Sequence, residues 1–315
     1  MPDAALAHPK DFLSVIDFDA LEFERCLELA LQMKAERPLG PKAGTSAALA
    51  GRHVAMLFEK PSLRTRTTFE IAVRELGGDV IALQSDAALG LREPIVDVAR
   101  NLERWVHAVV IRTFSQQTLE EFASAASRLH VINALSDQQH PCQAIADFVT
   151  LKERFGTLTG RTLAFVGDGN NIAASLAHAS ALCGVHCHLA SPRGYELPSS
   201  IVQQAAKAAM HGARLRLFTD PTAAVRGADA VYTDTWTSMG QEAEADVRRS
   251  VFAPYQVTSA LMAAAKPDAL FMHCLPAHRG EEVTAEVFES PASVVFDQAE
   301  NRLHGQKALL SMLLG

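Results

Sequence analysis

The sequence predicts an α/β protein of two domains, each with a mostly parallel sheet flanked by helices. Three observations lead there. The chain has 315 residues, enough for two domains of about 100–200 residues each. Short apolar runs alternate with amphipathic runs at helical spacing, and after residue 136 the same alternation starts again.

The elements follow in order. Residues 19–36 place Leu21, Phe23, Leu27, Leu29 and Leu31 among charges at helical spacing, and Pro38 and Gly40 stop the pattern. RHVAMLF (52–58) reads as a buried strand. Thr67 to Gly77 reads as a helix with Phe69, Ile71 and Leu76 on its core face, ended by Gly77-Gly78. DVIALQ is the next strand, PIVDVARNLERW a helix, HAVVIRT (107–113) a strand, TLEEFASAAS a helix and HVINAL (130–135) a strand. Beyond the irregular SDQQHPCQ, the helix AIADFVTLKERFG opens the second series. It runs through TLAFVGD, NIAASLAHASALCG, VHCHLAS, SSIVQQAAKAAMHG and ADAVYTDT, then the apolar strand ALFMHC and a terminal helix NRLHGQKALLSMLLG. No low-complexity linker and no repeat interrupts the chain.

Composition excludes several function classes. A net charge of −7 argues against nucleic acid as the main partner, because backbone phosphates need a basic face. No segment approaches the roughly 18 uninterrupted apolar residues of a membrane helix. The start, MPDAALAHPKDFLSVIDFDA, lacks a signal or transit pattern, so a cytoplasmic location is expected. Five cysteines are an odd number without paired metal-ligand spacing, so reduced thiols and no metal are expected.

Parallel α/β domains bind ligands where strands run into helices. FEKPSLRTRTTFE (58–70) stands at such a junction. Ser62 is placed to cap the helix that follows, its N-terminus attracts anions, and Arg64 can grip a phosphate through two hydrogen bonds. The plainer alternative is a capped helix with solvated arginines. FVGDGNN (165–171) resembles the start of a dinucleotide fingerprint, but the third glycine position holds Ile172; a tight turn with an Asn cap is the alternative. His140 and Gln143 lie in the irregular loop. In HCLP (273–276) Cys274 precedes a Leu-Pro bond where a cis peptide is plausible. Strand alternation directs His273 to the opposite face from Cys274, which disfavours a Cys-His dyad. Asp234, ending a strand in DTWTSMGQE (234–242), suits a substrate ammonium or an ordinary helix cap.

Together FEKPSLRTR, IRT, HPCQ, GDGNN, DTWTSMG, HCLP and AENR occur in an order and spacing that resembles the ornithine carbamoyltransferase family across nearly the whole chain. The resemblance implies carbamoyl transfer from carbamoyl phosphate to the side-chain amine of L-ornithine, giving citrulline and phosphate, with no cofactor and a homotrimeric assembly. It implies a carbamoyl-phosphate domain over 1–136, an ornithine domain over 137–290 and a C-terminal helix, 291–315, returning to the first domain. Ser62, Leu63 (through its N–H), Arg64 and Thr65 match the phosphate cradle, and Arg112 matches the arginine shared between phosphate and carbonyl oxygen. His140, Gln143 and Arg302 would frame the carbamoyl group, with the carbonyls of Cys274 and Leu275 accepting its amide hydrogens. Asn171, Asp234, Ser238 and Met239 match the groups that hold ornithine's amino-acid end, and Cys274 lies where the reacting amine arrives. SMG resembles the ornithine-side loop and separates the chain from aspartate-using relatives. Two positions depart from the family pattern. Leu63 stands where most members carry Thr, a variant that recurs in relatives using N-acylated ornithine. Ala88 stands where many place a Gln or His that reaches a neighbouring subunit's phosphate, with Arg92 as a possible replacement.

Overall fold

The computed structural model describes residues 9–60, 62–83, 93–237 and 241–315. It divides into two compact units, residues 1–149 with 301–315, and residues 150–300. These boundaries fall later in the chain than the expected 136 and 290.

In the first unit, helix α1 (Ala20–Glu36) begins in a capping box: the Asp19 carboxylate accepts the Glu22 N–H, and the Glu22 carboxylate accepts the Asp19 N–H. Strand β1 (His53–Phe58) leads into α2 (Leu63–Glu75), followed by β2 (Asp79–Ala82), α3 (Ile95–Leu102), β3 (Ala108–Arg112), α4 (Gln116–Ala125) and β4 (His130–Leu135). All the strands are parallel, in the order β2-β1-β3-β4. The chain reverses direction across the sheet between β1 and β3, and the carboxyl ends of these two strands form the switch point where such sheets bind ligands. One face is packed by Ala55, Leu57, Val109, Ile111 and Val131 against Leu119 and Phe122, all buried. Each large side chain so buried stabilises the unit by about 1.5–3 kcal/mol before chain entropy is counted. Helix α5 (Pro141–Phe155) starts here and ends in the second unit.

The second unit continues with β5 (Thr162–Val166), α6 (Asn171–Cys183), β6 (His186–Ala190), α7 (Ser199–Ala208), β7 (Leu215–Phe218), α8 (Pro221–Val225) and β8 (Ala230–Thr233). After these come α9 (Ala245–Phe252), α10 (Ser259–Met262), β9 (Leu270–His273), α11 (Ala285–Phe288) and α12 (Val295–Leu314). Its parallel sheet has the order β7-β6-β5-β8-β9, with the switch point between β5 and β8. Its core gathers Val166, Val231, Phe252, Tyr255, Val257 and Phe271. Residues 301–314 of α12 complete the first unit. Among the described residues no helix is long and apolar enough to cross a membrane.

Three elements differ from expectation. Helix α2 begins at Leu63 rather than Thr67, because its polar first turn carries no core periodicity. Helix α5 begins at Pro141 rather than Ala144; proline fits the first helical position, where no N–H is needed. Strand β7 was not anticipated: it lies at a sheet edge, and its two central residues, Arg216 and Leu217, are exposed.

Candidate active site

The first unit assembles a cationic, hydrogen-bonded group at the ends of β1 and β3. Ser62 occupies the N-cap position of α2, but its side chain makes no capping hydrogen bond. That corrects the expected Ser cap. Its φ/ψ of −150° and 96° is extended, and the first-turn N–H groups of α2 are left facing outward as an anion nest. The Leu63 side chain is 79% exposed, so it contributes only backbone to that nest. Arg64 is half-buried and its guanidinium makes no hydrogen bond or ion pair with another described residue. Arg66, by contrast, pairs with Glu70 one turn along at 3.2 Å.

Arg112 is buried at the last position of β3. A register shift between Ile111 and Arg112 pairs Ile111 with Asn133 but Arg112 with Leu135, and a bulge of this kind re-aims the side chain that follows it. Glu59 ties the two strand ends together: its N–H donates to the Arg112 carbonyl at 3.0 Å, and its carboxylate accepts from the Thr113 hydroxyl at 2.5 Å.

Arg302, from α12, is buried and donates to Thr65 Oγ1 at 2.5 Å and to Gln143 Oε1. The Gln143 amide is held on its other side by Asp147 Oδ1, which accepts from Nε2 at 2.7 Å, so the carboxamide orientation is fixed. Buried His140 stands at the entrance to α5, its carbonyl accepting the Gln143 N–H at 3.1 Å. Burial first, then Arg302 and Arg112, holds its pKa well below the ordinary 6.5. The imidazole is therefore neutral at physiological pH, a donor without charge. Burial pushes the neighbouring Cys142 thiol up to about 12, and its Sγ donates to the Asn133 carbonyl. Thr65, Arg112, His140, Gln143 and Arg302 thus belong to one unit and lie beside its anion nest.

In the second unit, Asn170 caps α6, accepting the N–H groups of Ile172 and Ala173, and its Nδ2 donates to Asp234 Oδ2 at 2.9 Å. Asn171 is the first residue of α6 and half-buried. Buried Asp234, just past β8, also accepts from Cys274 Sγ at 2.9 Å. These residues stand at the β5/β8 switch point. Gly169 answers the fingerprint question: a Cβ there would meet Leu197 N at 2.4 Å and Glu196 C at 2.5 Å, so glycine is required by chain packing rather than by a dinucleotide. Ser238 and Met239, like Ala88 and Arg92, lie outside the described residues.

The HCLP segment carries a cis Leu275–Pro276 bond, and Leu275 has a φ of 61°. His273 does not face away from Cys274 as strand alternation suggested. Strand β9 ends at His273, and ligand atoms of Asp234, His273 and Cys274 lie within 4.8 Å of one another. The imidazole is nonetheless committed elsewhere, accepting the Leu275 N–H at Nδ1 (2.9 Å) and facing fully buried Glu282 through Nε2 (3.2 Å). That disfavours a Cys-His dyad by a different route. A metal held by this trio, or by the group His278, Glu281 and Glu282, would have to displace such contacts.

Sequence reasoning missed three supporting residues. Arg248, buried on α9, donates to the Trp236 carbonyl at 3.0 Å and to the Asp168 carboxylate, fixing the loop after β8. Asp168, its pKa raised by burial in spite of Arg248, and Asp147 complete the set. The Arg248–Asp168 pair is far apart along the chain, so local patterning carries no signal for it, whereas Asp147 stands one helical turn after Gln143, an i,i+4 spacing that could have been read.

Two parallel-sheet units, one with an anion nest beside buried cations and the other with a buried carboxylate at its switch point, define a group-transfer enzyme class that handles an anionic donor and a polar acceptor. The chain belongs to the aspartate/ornithine carbamoyltransferase family: residues 10–153 match the model of its carbamoyl-P binding domain and residues 159–313 that of its Asp/Orn binding domain. It is 50% identical over 307 residues to an ornithine carbamoyltransferase of Symbiobacterium thermophilum, covering 97% of this chain and 98% of that protein. It is 47% identical over 308 residues to an anabolic ornithine carbamoyltransferase of Pyrococcus furiosus, covering 97% and 96%. The solved structure of an ornithine carbamoyltransferase from Pyrococcus furiosus superposes with a TM-score of 0.91 at 46% identity, covering 98% of this chain and 97% of that one.

Proposed function

We propose that this chain transfers the carbamoyl group of carbamoyl phosphate to the side-chain amine of L-ornithine, releasing L-citrulline and phosphate in the direction of arginine biosynthesis. The observation that carries the reading is the buried Arg302–Thr65–Gln143 network beside the α2 nest, with neutral His140 and Arg112 next to it. The phosphate binds Ser62, Arg64, Thr65, Arg112 and the Leu63 N–H. As the amine attacks the carbamoyl carbon, charge grows on the carbonyl oxygen. Thr65, Arg112, His140 and Arg302 are donors for that oxygen, each worth up to a few kcal/mol in the transition state. The carbonyls of Cys274 and Leu275 accept the carbamoyl N–H hydrogens, and Gln143, fixed by Asp147, orients the group. Arg64 and Arg112 offset the charge of the leaving phosphate.

Asp234 takes the ornithine α-ammonium, with Asn171, Ser238 and Met239 holding the rest of the amino-acid end. The attacking amine must be neutral. A free alkylammonium has a pKa of about 10.4, and desolvation and nearby cations favour its deprotonated form. Five free, buried cysteines agree with a reducing, cytoplasmic location, and a homotrimer is part of the same proposal.

The test is citrulline formation from carbamoyl phosphate with ornithine, N-acetylornithine and putrescine in parallel. Turnover of ornithine is expected, and activity on acetylornithine with none on ornithine would overturn the assignment. Light scattering of the pure protein tests the three-chain assembly.

A further inference from the structure

We propose that His273 and Glu282 are positioning residues for the carbamoyl group: a buried imidazole–carboxylate pair that holds Leu275 in an unfavourable backbone conformation, and with it the carbonyls of Cys274 and Leu275. The inference rests on the reading above, in which those carbonyls accept the carbamoyl N–H hydrogens. It adds two residues that touch no substrate themselves.

The backbone at Leu275 points to such a device. Its φ of 61° lies in the left-handed region, where a side chain crowds the carbonyl that follows; His211 is the only other non-glycine residue there among the described residues. A bulky residue stays in that region only where its surroundings over-determine it, and residues held in this way gather at functional sites. Here the constraint is visible. The Leu275 N–H donates to His273 Nδ1 at 2.9 Å. Nδ1 is thereby an acceptor, so the ring carries its proton on Nε2, which faces Glu282 Oε1 at 3.2 Å. The carboxylate thus selects the tautomer that can hold the Leu275 N–H. The ring is anchored in turn by its own backbone. The His273 N–H donates to Gln298 Oε1 at 3.0 Å, and Gln298 Nε2 donates to the Tyr232 hydroxyl at 3.1 Å, which ties β9 to β8 just before Cys274 and Asp234.

Packing alone does not account for Glu282. It is fully buried, as is His273. Its Oε1 also accepts the His278 N–H at 2.5 Å, whereas its buried Oε2 has no hydrogen-bond partner among the described residues and lies 3.8 Å from His278 Nδ1. A carboxylate kept in a core with one oxygen unsatisfied is unfavourable, and an apolar side chain of similar size would fill the space without that penalty. What the carboxylate supplies is an acceptor for the proton on His273 Nε2.

The test uses the full-length protein and two competitors of carbamoyl phosphate that lack its N–H groups: inorganic phosphate, and acetyl phosphate, which has a methyl in their place. His273→Leu should lower kcat/KM for carbamoyl phosphate roughly tenfold or more. Inhibition by both competitors should stay within about twofold of wild type, and the Leu275 amide hydrogen should exchange faster. Glu282→Leu should give the same pattern. His273→Asn, whose Oδ1 can take the place of Nδ1, should recover most of the loss, and His273→Gln, whose amide stands in for Nε2, should not. That last pair decides the matter alone if His273→Leu fails to fold. The inference is overturned if His273→Leu stays within about threefold of wild type, if both competitors weaken in step with carbamoyl phosphate as a general loosening would make them do, or if Asn is no better than Gln. Wild-type protein that forms no citrulline would overturn the transfer reading and this inference with it; active wild type with any of the other outcomes overturns this inference alone.

Discussion

Replacing Arg302 by Met tests the proposed transition-state group at its most connected member. Methionine keeps the apolar stem and removes the hydrogen bonds from Arg302 to Thr65 Oγ1 and Gln143 Oε1. On the proposed reading it also removes one donor to the developing oxyanion. The loss of such a donor costs about 2.7–4 kcal/mol, roughly 10²–10³ in kcat. Folding stability should fall much less. Two neutral oxygens lose a charged partner, at about 1.5–3 kcal/mol each, but the protein no longer buries a guanidinium, which offsets part of that. A net loss of about 1–3 kcal/mol is expected. A third readout follows from His140, whose pKa is lowered by burial and then by Arg302 and Arg112: removing Arg302 must raise it while leaving it below 6.5. Steady-state kinetics, urea unfolding and an NMR titration of the His140 ring protons measure the three quantities. A kcat within about threefold of wild type, or an unmoved His140 titration, would refute the assigned role.

Stability should decline as pH falls through 6.5. His140 and His178 have folded-state pKa values below the ordinary 6.5, His178 at about 4, with burial the first cause in each. The unfolded chain then binds more protons than the folded one in that window. Each group costs up to about 1.4 kcal/mol per pH unit, and urea unfolding that is flat from about pH 7 to about pH 5 contradicts this. Gly169→Ala should destabilise by about 1–3 kcal/mol, because the new methyl meets backbone atoms of Glu196 and Leu197 that cannot simply rotate away; a melting point equal to wild type would show that the segment yields. Asp234→Ala should raise the KM for ornithine by roughly 10²-fold with little change in carbamoyl-phosphate binding, since a charge-assisted contact is lost on the acceptor side alone. An unchanged ornithine KM would remove Asp234 from that role.

The alternating pattern of the chain carried most of the fold because parallel strands buried on both faces read as continuous apolar runs: HVINAL is β4 residue for residue, and the five residues of β3 are all buried. Patterning failed where polarity and structure part company. The first turn of α2 is Leu-Arg-Thr-Arg, whose helical state comes from the strand it follows, so its start was placed too late. Strand β7 is half solvated and spells LRLF, too short and too charged to stand out. At the site, Arg64 and Asp234 were legible as charged residues at strand-helix junctions. Arg112 and Arg302 were not: a buried arginine at the end of a strand or within a helix has no local signature, and family resemblance alone pointed to them. The turning of His273 toward Cys274 was missed because the strand ends one residue before the cysteine.

The first unit is written in two instalments, residues 1–149 and 301–315, with the whole second unit between them. On the ribosome, its sheet can form long before the residues that complete it are synthesised. Until then the places that Arg302 and Lys307 take beside Thr65 and Glu75 stay vacant in the nascent chain. A chain that stalls before residue 301 therefore has the first turn of α2 and buried Arg112 but lacks Arg302 and its bond to Thr65, so the group is complete only once the last helix has been synthesised.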